Sequence, residues 1–203
     1  MTIQGILPIR ITVCGFAELP GECRVRPSHV LSLLDPDVAV PPELGSLSEN
    51  QRLELRFHDI IADEPDMRPP ELEHIRQLSR LRRRLLRSPA GDRHLLIHRH
   101  AGFSRSPAAF AVLLAQAQPS LPAEMIATEV LRIRPNAWPN LRIIELGDQI
   151  LGRRGKLVEA ASAIYWQRLE QQHGLAELIV ANGRTREVEA GRHWRRSLAR
   201  QRR

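Results

Sequence analysis

The chain has 203 residues, 42% hydrophobic and 26% charged, with a formal charge of +7. That is apolar material enough for one buried core, with or without an appendage, and it excludes a wholly disordered or fibrous chain. Two cysteines exclude a disulfide framework or a cysteine-rich zinc site, and the longest unbroken apolar run, Ala108 to Ala115, is too short to span a bilayer.

The N-terminal MTIQGILPIRITV has no basic region leading into an apolar stretch, so no secretory signal is read. A cytoplasmic protein with no membrane partner is expected. The positive charge is uneven: residues 182–203 carry eight arginines against two glutamates, a net +6, which leaves +1 for residues 1–181. A domain over 1–181 and a basic Arg-rich tail over 182–203 are expected, the tail frayed or dependent on a partner because it has almost no apolar periodicity.

Taken in order, Arg10–Cys14, His29–Leu34, Arg52–Phe57 and His94–His98 read as short strands rich in branched residues. Asp-Pro-Asp after Leu34 and the Pro-rich stretch Asp63–Pro70 close the second and third strands. Pro69 and Pro70 open a helix to about Arg87, ended by Ser88-Pro89-Ala90-Gly91. At about 100° per residue, five of the six arginines between Arg76 and Arg87 face away from Leu72, Ile75, Leu78 and Leu85. That pattern is a solvated helix face rather than a nucleic-acid footprint. Arg105–Ala117 is apolar nearly all round and predicts a buried helix. Pro122–Arg134 predicts another, and Leu141 to about Gln172 is helical with a break near Gly152–Gly155. Strands alternating with helices, then a helical second half, predict an α/β fold with a short, mainly parallel central sheet flanked by helices.

The stretch that carries chemistry is HLLIHRHAGFSRSPAAFAVLL, residues 94–114. A strand ends at His98, a tight loop follows, and a helix starts at Arg105-Ser106-Pro107. Such a loop turns backbone N–H groups and a helix N-terminus toward one point, which suits an anion. Gly102 lets the backbone turn in close, and Arg105 offers a planar fork to two phosphate oxygens.

These residues resemble the protein-tyrosine phosphatase superfamily, in its dual-specificity-like branch and a bacterial form. The family signature is His-Cys-x-x-Gly-x-Ser-Arg-Ser, and His98-Arg99-His100-Ala101-Gly102-Phe103-Ser104-Arg105-Ser106 matches it except that Arg99 occupies the nucleophile position. The resemblance runs from residue 8 to about 172. It implies Asp59 as general acid, with Asp63 and Asp66 as competing candidates in the same loop. It also implies phosphate binding by His100, Ala101, Gly102, Phe103, Ser104 and Arg105, and a thiolate-stabilising hydroxyl at Ser106. Support for the loop would come from His98 and from Asn140 in the Ile133–Ile144 segment.

Arg99 is cationic at all accessible pH and offers no lone pair to attack phosphorus. Its side chain either fills the cavity or folds outward to the rim. Cys14 reads as a small buried hydrophobe, Cys23 lies in a loop with no neighbouring histidine, and Ser104 and Ser106 have no base partner in the motif. The expectation is a phosphatase-like protein of the phosphoric monoester hydrolase family, inactive as written. Its expected partners are phosphate, a phosphorylated protein or a small phosphomonoester. Two alternatives stand beside it: an active phosphatase, were residue 99 Cys in the native protein, and a nucleic-acid or acidic-partner binder working through the Arg tail.

No cofactor or metal is expected, since His29, His58, His74 and His94 make no ligand spacing with cysteine or acidic clusters. His173 and His193 read as surface residues, and Trp138 as packing at a helix junction. Tyr165 and Trp166 read as core or a shallow interface.

Overall fold

A computed structural model describes residues 2–3, 9–24, 26–44, 48, 51–89, 93–99 and 102–201. Among the described residues, five strands form one sheet: β1 (Thr2–Ile3), β2 (Arg10–Cys14), β3 (His29–Leu34), β4 (Arg52–Arg56) and β5 (His94–His98), in the order β1-β2-β5-β3-β4. β1, which sequence reading did not anticipate, pairs antiparallel with β2, while β2, β5, β3 and β4 run parallel. The four expected strands thus make the mainly parallel sheet, with β5 at its centre.

Strand alternation sorts the side chains onto two faces. Ile11, Val13, Leu31, Leu33, Leu55, Leu95 and Ile97 enter the main core with the helices. Cys14, Val30 and Leu96 pack with Leu19 and Leu44 on the other face. That second cluster is capped by a short helix α1 (Leu19–Cys23), so Cys23 ends a helix turn rather than lying in a loop.

The remaining helices are α2 (Leu72–Leu85), α3 (Arg105–Ala117), α4 (Ala123–Ile133), α5 (Leu141–Leu151), α6 (Lys156–Gln171), α7 (Leu175–Ala181) and α8 (Thr185–Gln201). In α2, Ile75, Leu78, Leu81 and Leu85 are buried, as its apolar stripe requires. Every residue from Arg105 to Ala115 in α3 is buried, so this helix is the hub on which α2, α4, α5 and α6 pack. Asp148 fixes the α5–α6 corner by accepting from Gly155 N at 2.7 Å and Leu157 N at 2.8 Å. No helix among the described residues is long and apolar enough to cross a membrane.

The C-terminal segment departs from expectation. Residues 182–201 are not a frayed tail: α8 packs along α6, with Glu187, Val188 and Gly191 turned inward and most of its arginines in solvent. Sparse apolar residues misled the periodicity argument, because the inward stripe is made partly of a charged residue and a glycine. A Cβ on Gly191 would lie 2.9 Å from both Trp166 N and Tyr165 Cβ. The absent side chain is what lets the two helices approach.

Gly191→Val is therefore expected to lower the thermal midpoint, by overpacking worth about 1–3 kcal/mol. Arg192→Gln, on the exposed side of the same helix, should leave the midpoint unchanged in a scanning-fluorimetry comparison. Equal midpoints for the two variants would contradict a tightly docked α8.

Candidate functional site

The carboxyl ends of parallel strands meet where β5 lies between β2 and β3, the usual place for a ligand crevice in an open α/β sheet. Cys14 ends β2 there, and Asp35, Phe57 and Arg99 directly follow β3, β4 and β5. The β3–β5 register sets Ser32 opposite His98, and their side chains hydrogen-bond at 2.6 Å. Burial pushes the His98 imidazole down to about 4, so it is neutral at physiological pH.

Beyond β5 the chain turns at Gly102, whose φ is +70° and whose Cβ would stand 3.0 Å from Arg134 Nη2 and 3.2 Å from the Cys14 carbonyl. Only glycine suits both the left-handed backbone and the close approach. His100 and Ala101, expected to bind phosphate, lie outside the described residues. The loop's far side is braced by the Pro-Asn segment: Trp138 N donates to Phe103 O at 2.7 Å and Asn140 N to Ser104 O at 3.3 Å. Asn140 also caps α5 through Ile143 N and donates from Nδ2 to Asp59 Oδ1 at 2.8 Å and Ile60 O at 3.2 Å. Trp138 itself is buried at this junction and donates its indole N–H to Glu187.

Arg99 folds inward. Its Nη2 pairs with Asp59 Oδ2 at 3.0 Å, its guanidinium lies 5.5 Å from the Phe103 ring centroid, and both members of the pair are only 12% exposed. Of the three candidate acids, Asp59 is the one in the site. Asp63 pairs at the surface with Arg142 and Asp66 is exposed.

Ser104, expected to lack a base partner, donates to Asp59 Oδ1 at 2.8 Å. That carboxylate is a poor base, however. Burial would raise the Asp59 carboxyl, but the guanidiniums of Arg99, Arg184 and Arg105 and the Asn140 hydrogen bond outweigh it and hold it below the usual carboxylate range. The Cys14 thiol is no alternative nucleophile, since burial and the charges of Glu18 and Glu22 push it up to about 12.

Arg105, the expected clamp, already has partners within the chain. It is fully buried and its fork is taken by Asp35, at 3.0 Å, and by the Phe57 carbonyl. With a second guanidinium at position 99, the nearby Asp35 carboxylate is its electrostatically favoured partner. Its Nε, Ser106 Oγ, and Nε and Nη1 of Arg99 are buried with no hydrogen-bond partner among the described residues. Buried donors of this kind call for an acceptor that the described residues do not supply.

Three participants escaped sequence reading. Asp35 carried a usable signal, an acid at the end of a parallel strand. Arg184 and Glu187 carried none, lying in the segment read as tail. Arg184 Nη2 donates to Ser104 Oγ at 2.9 Å and to Glu187 Oε1 at 2.7 Å, and Glu187 also accepts from Leu141 N at 3.0 Å. Above these groups opens a cleft of about 660 Å³, walled by Phe103, Trp138, Met67, Leu175, Leu178 and Ile179 among others. No group of three potential metal ligands is gathered among the described residues.

The chain aligns with PTP-2 phosphatase of Cydia pomonella over 73% of its length and 88% of that chain, at 21% identity and TM-score 0.55. Human tyrosine phosphatase-like serine/threonine/tyrosine-interacting protein matches over 74% of this chain and 96% of its own, at 16% identity and TM-score 0.56. The fold is that of the protein-tyrosine phosphatases. PTPMT1, solved in complex with PI(5)P, shares this phosphatase fold at TM-score 0.51 and 15% identity, over 74% of this chain and 94% of its own. No family model matches the sequence, and no curated protein is significantly similar to it.

The neutral His98 gives this phosphatase-fold site a pH signature. Its folded pKa of about 4 lies below the ordinary 6.5, so its contribution is fully present above pH 6.5 and is lost as pH falls toward 4. The thermal midpoint should fall across that window. His98→Asn should be less stable at pH 7 and show a shallower fall, the remainder coming from the other lowered groups, among them His94, which burial and Arg10 bring down to about 4, and His29, His74 and Asp59. An unchanged slope in the variant would contradict a buried neutral His98.

Proposed function

We propose that this protein is an inactive member of the phosphatase fold that binds a phosphate-type anion without hydrolysing it. The observation that carries the reading is the Arg99–Asp59 pair at 3.0 Å: a guanidinium sits where a thiolate is needed, and it neutralises the carboxylate needed as proton donor. Both halves of phosphomonoester hydrolysis by the thiolate route are therefore missing. The unpartnered donors of Arg99, Arg105 and Ser106 support an anion as ligand. The likeness to PTPMT1, solved with PI(5)P, fits a phosphoester.

Anion binding has to compete with Asp59 for Arg99. Asp59→Asn keeps the acceptor that Ser104 and Asn140 use while removing the competing charge. It is expected to tighten inorganic phosphate binding about tenfold in calorimetry, given about 1.5–3 kcal/mol for a hydrogen bond to a charged group. Weaker binding by this variant would count against the competition.

The protein itself is expected to show no turnover of p-nitrophenyl phosphate. Arg99→Cys should create it, because the change supplies a thiol and removes the nearest cation holding Asp59 ionised. The thiolate would attack phosphorus, the aryl oxygen would leave with the Asp59 proton, and water would then release phosphate from sulfur. Adding Asp59→Asn to Arg99→Cys should slow turnover by about 10² to 10⁴, the usual worth of a positioned acid. Turnover by the unmodified protein that disappears in Arg105→Ala would refute inactivity.

A further inference from the structure

The cleft has a wall that comes from beyond the stretch resembling the phosphatases. The helix α7 places Leu175, Leu178 and Ile179 along it, and the turn into α8 places Arg184 at its base. Leu178 is 57% exposed, and Met67 faces the same cleft from the β4–α2 connection at 38%. This wall is anchored rather than draped. Glu187 is fully buried, held by Arg184, Trp138 and Leu141 N, and Gly191 seats α8 against α6.

Arg184 is not fully used by these contacts. Nη2 serves Ser104 and Glu187, while Nη1 stands 3.8 Å from Asp59 Oδ1, an ion-pair distance too long for a hydrogen bond. Its Nε is buried and has no partner among the described residues. A guanidinium that lines a cleft with its Nη1 free of a hydrogen bond, beside a second one at Arg99 that lines the same cleft, is a two-pronged receptor for a dianion.

We infer that Arg184 is an anion-recognition residue of this site, contacting the bound phosphate group beside Arg99, so that α7 and α8 complete a binding site the sheet and loop leave open on one side. The inference rests on the anion-binding reading above and adds the residue and segment through which binding occurs. A ligand seated on both guanidiniums takes Asp59's place at Arg99. Its non-phosphate part then lies against Leu178 and Met67.

The test is calorimetric titration of inorganic phosphate into the full-length protein and four variants. Arg184→Gln is expected to weaken binding at least tenfold, and Arg184→Lys, which keeps the charge, to lose less. Glu187→Gln removes the carboxylate that shares Arg184 and is expected to tighten binding several-fold, an effect opposite to that of mere loosening. Arg186→Gln, whose side chain pairs with Glu145 at the surface, should bind as the unmodified protein does. Unchanged affinity in Arg184→Gln, or weaker binding in Glu187→Gln with its thermal midpoint retained, would overturn the role of Arg184 while leaving anion binding intact. Failure of the unmodified protein to bind phosphate would overturn both. Should Arg184→Gln unfold, the Arg184→Lys and Glu187→Gln arms decide.

Discussion

Asp59 is a largely buried carboxylate where five segments meet, and the site is arranged around the need to keep it charged. A buried carboxylate without partners would take up a proton. Here Arg99 arrives from the end of β5, Ser104 from the loop, Asn140 from before α5 and Arg184 from the α7–α8 turn, each with a hydrogen bond or ion pair. Arg105 adds its field from within α3 while spending its own fork on Asp35 and Phe57. Removing a cation would leave a buried anion short of compensation, which costs more than any single bond is worth.

The same hub explains why the C-terminal helix belongs to the fold. Glu187 is buried with Trp138, Leu141 N and Arg184 as donors, and burial outweighs those partners to leave its carboxyl raised. The polar chain Glu187–Arg184–Ser104–Asp59–Arg99 therefore runs from α8 to the end of the central strand.

Much of this was legible in the sequence. The parallel strands could be read because branched residues alternate with turn signals, and Arg105–Ala117 because it is apolar on every side. Gly102 could be read because its neighbours spell a loop, and Asn140 through the family resemblance of the Ile133–Ile144 segment. What was not legible depended on partners distant in sequence. The apolar faces of most helices announce themselves by period, but α8 is held by Glu187, Val188 and Gly191, a set with no hydropathy signature. Arg105 likewise looked free for a ligand only because Asp35, 70 residues away, could not be seen to claim it.

Position 99 decides what Asp59 can be. With a thiolate there, the nearest charge would be negative, and adding a phosphate dianion would raise the carboxyl further, toward a proton it could donate. With Arg99 the nearest charge is positive, and the identical carboxylate becomes a fixed counter-ion. The exchange of a thiolate for a guanidinium shifts the local charge by two units in a place shielded from water, where charge matters most. On the proposed reading, Arg99 therefore does more than leave the site without a nucleophile: it holds Asp59 as its counter-ion, and an anionic ligand would compete with Asp59 for it.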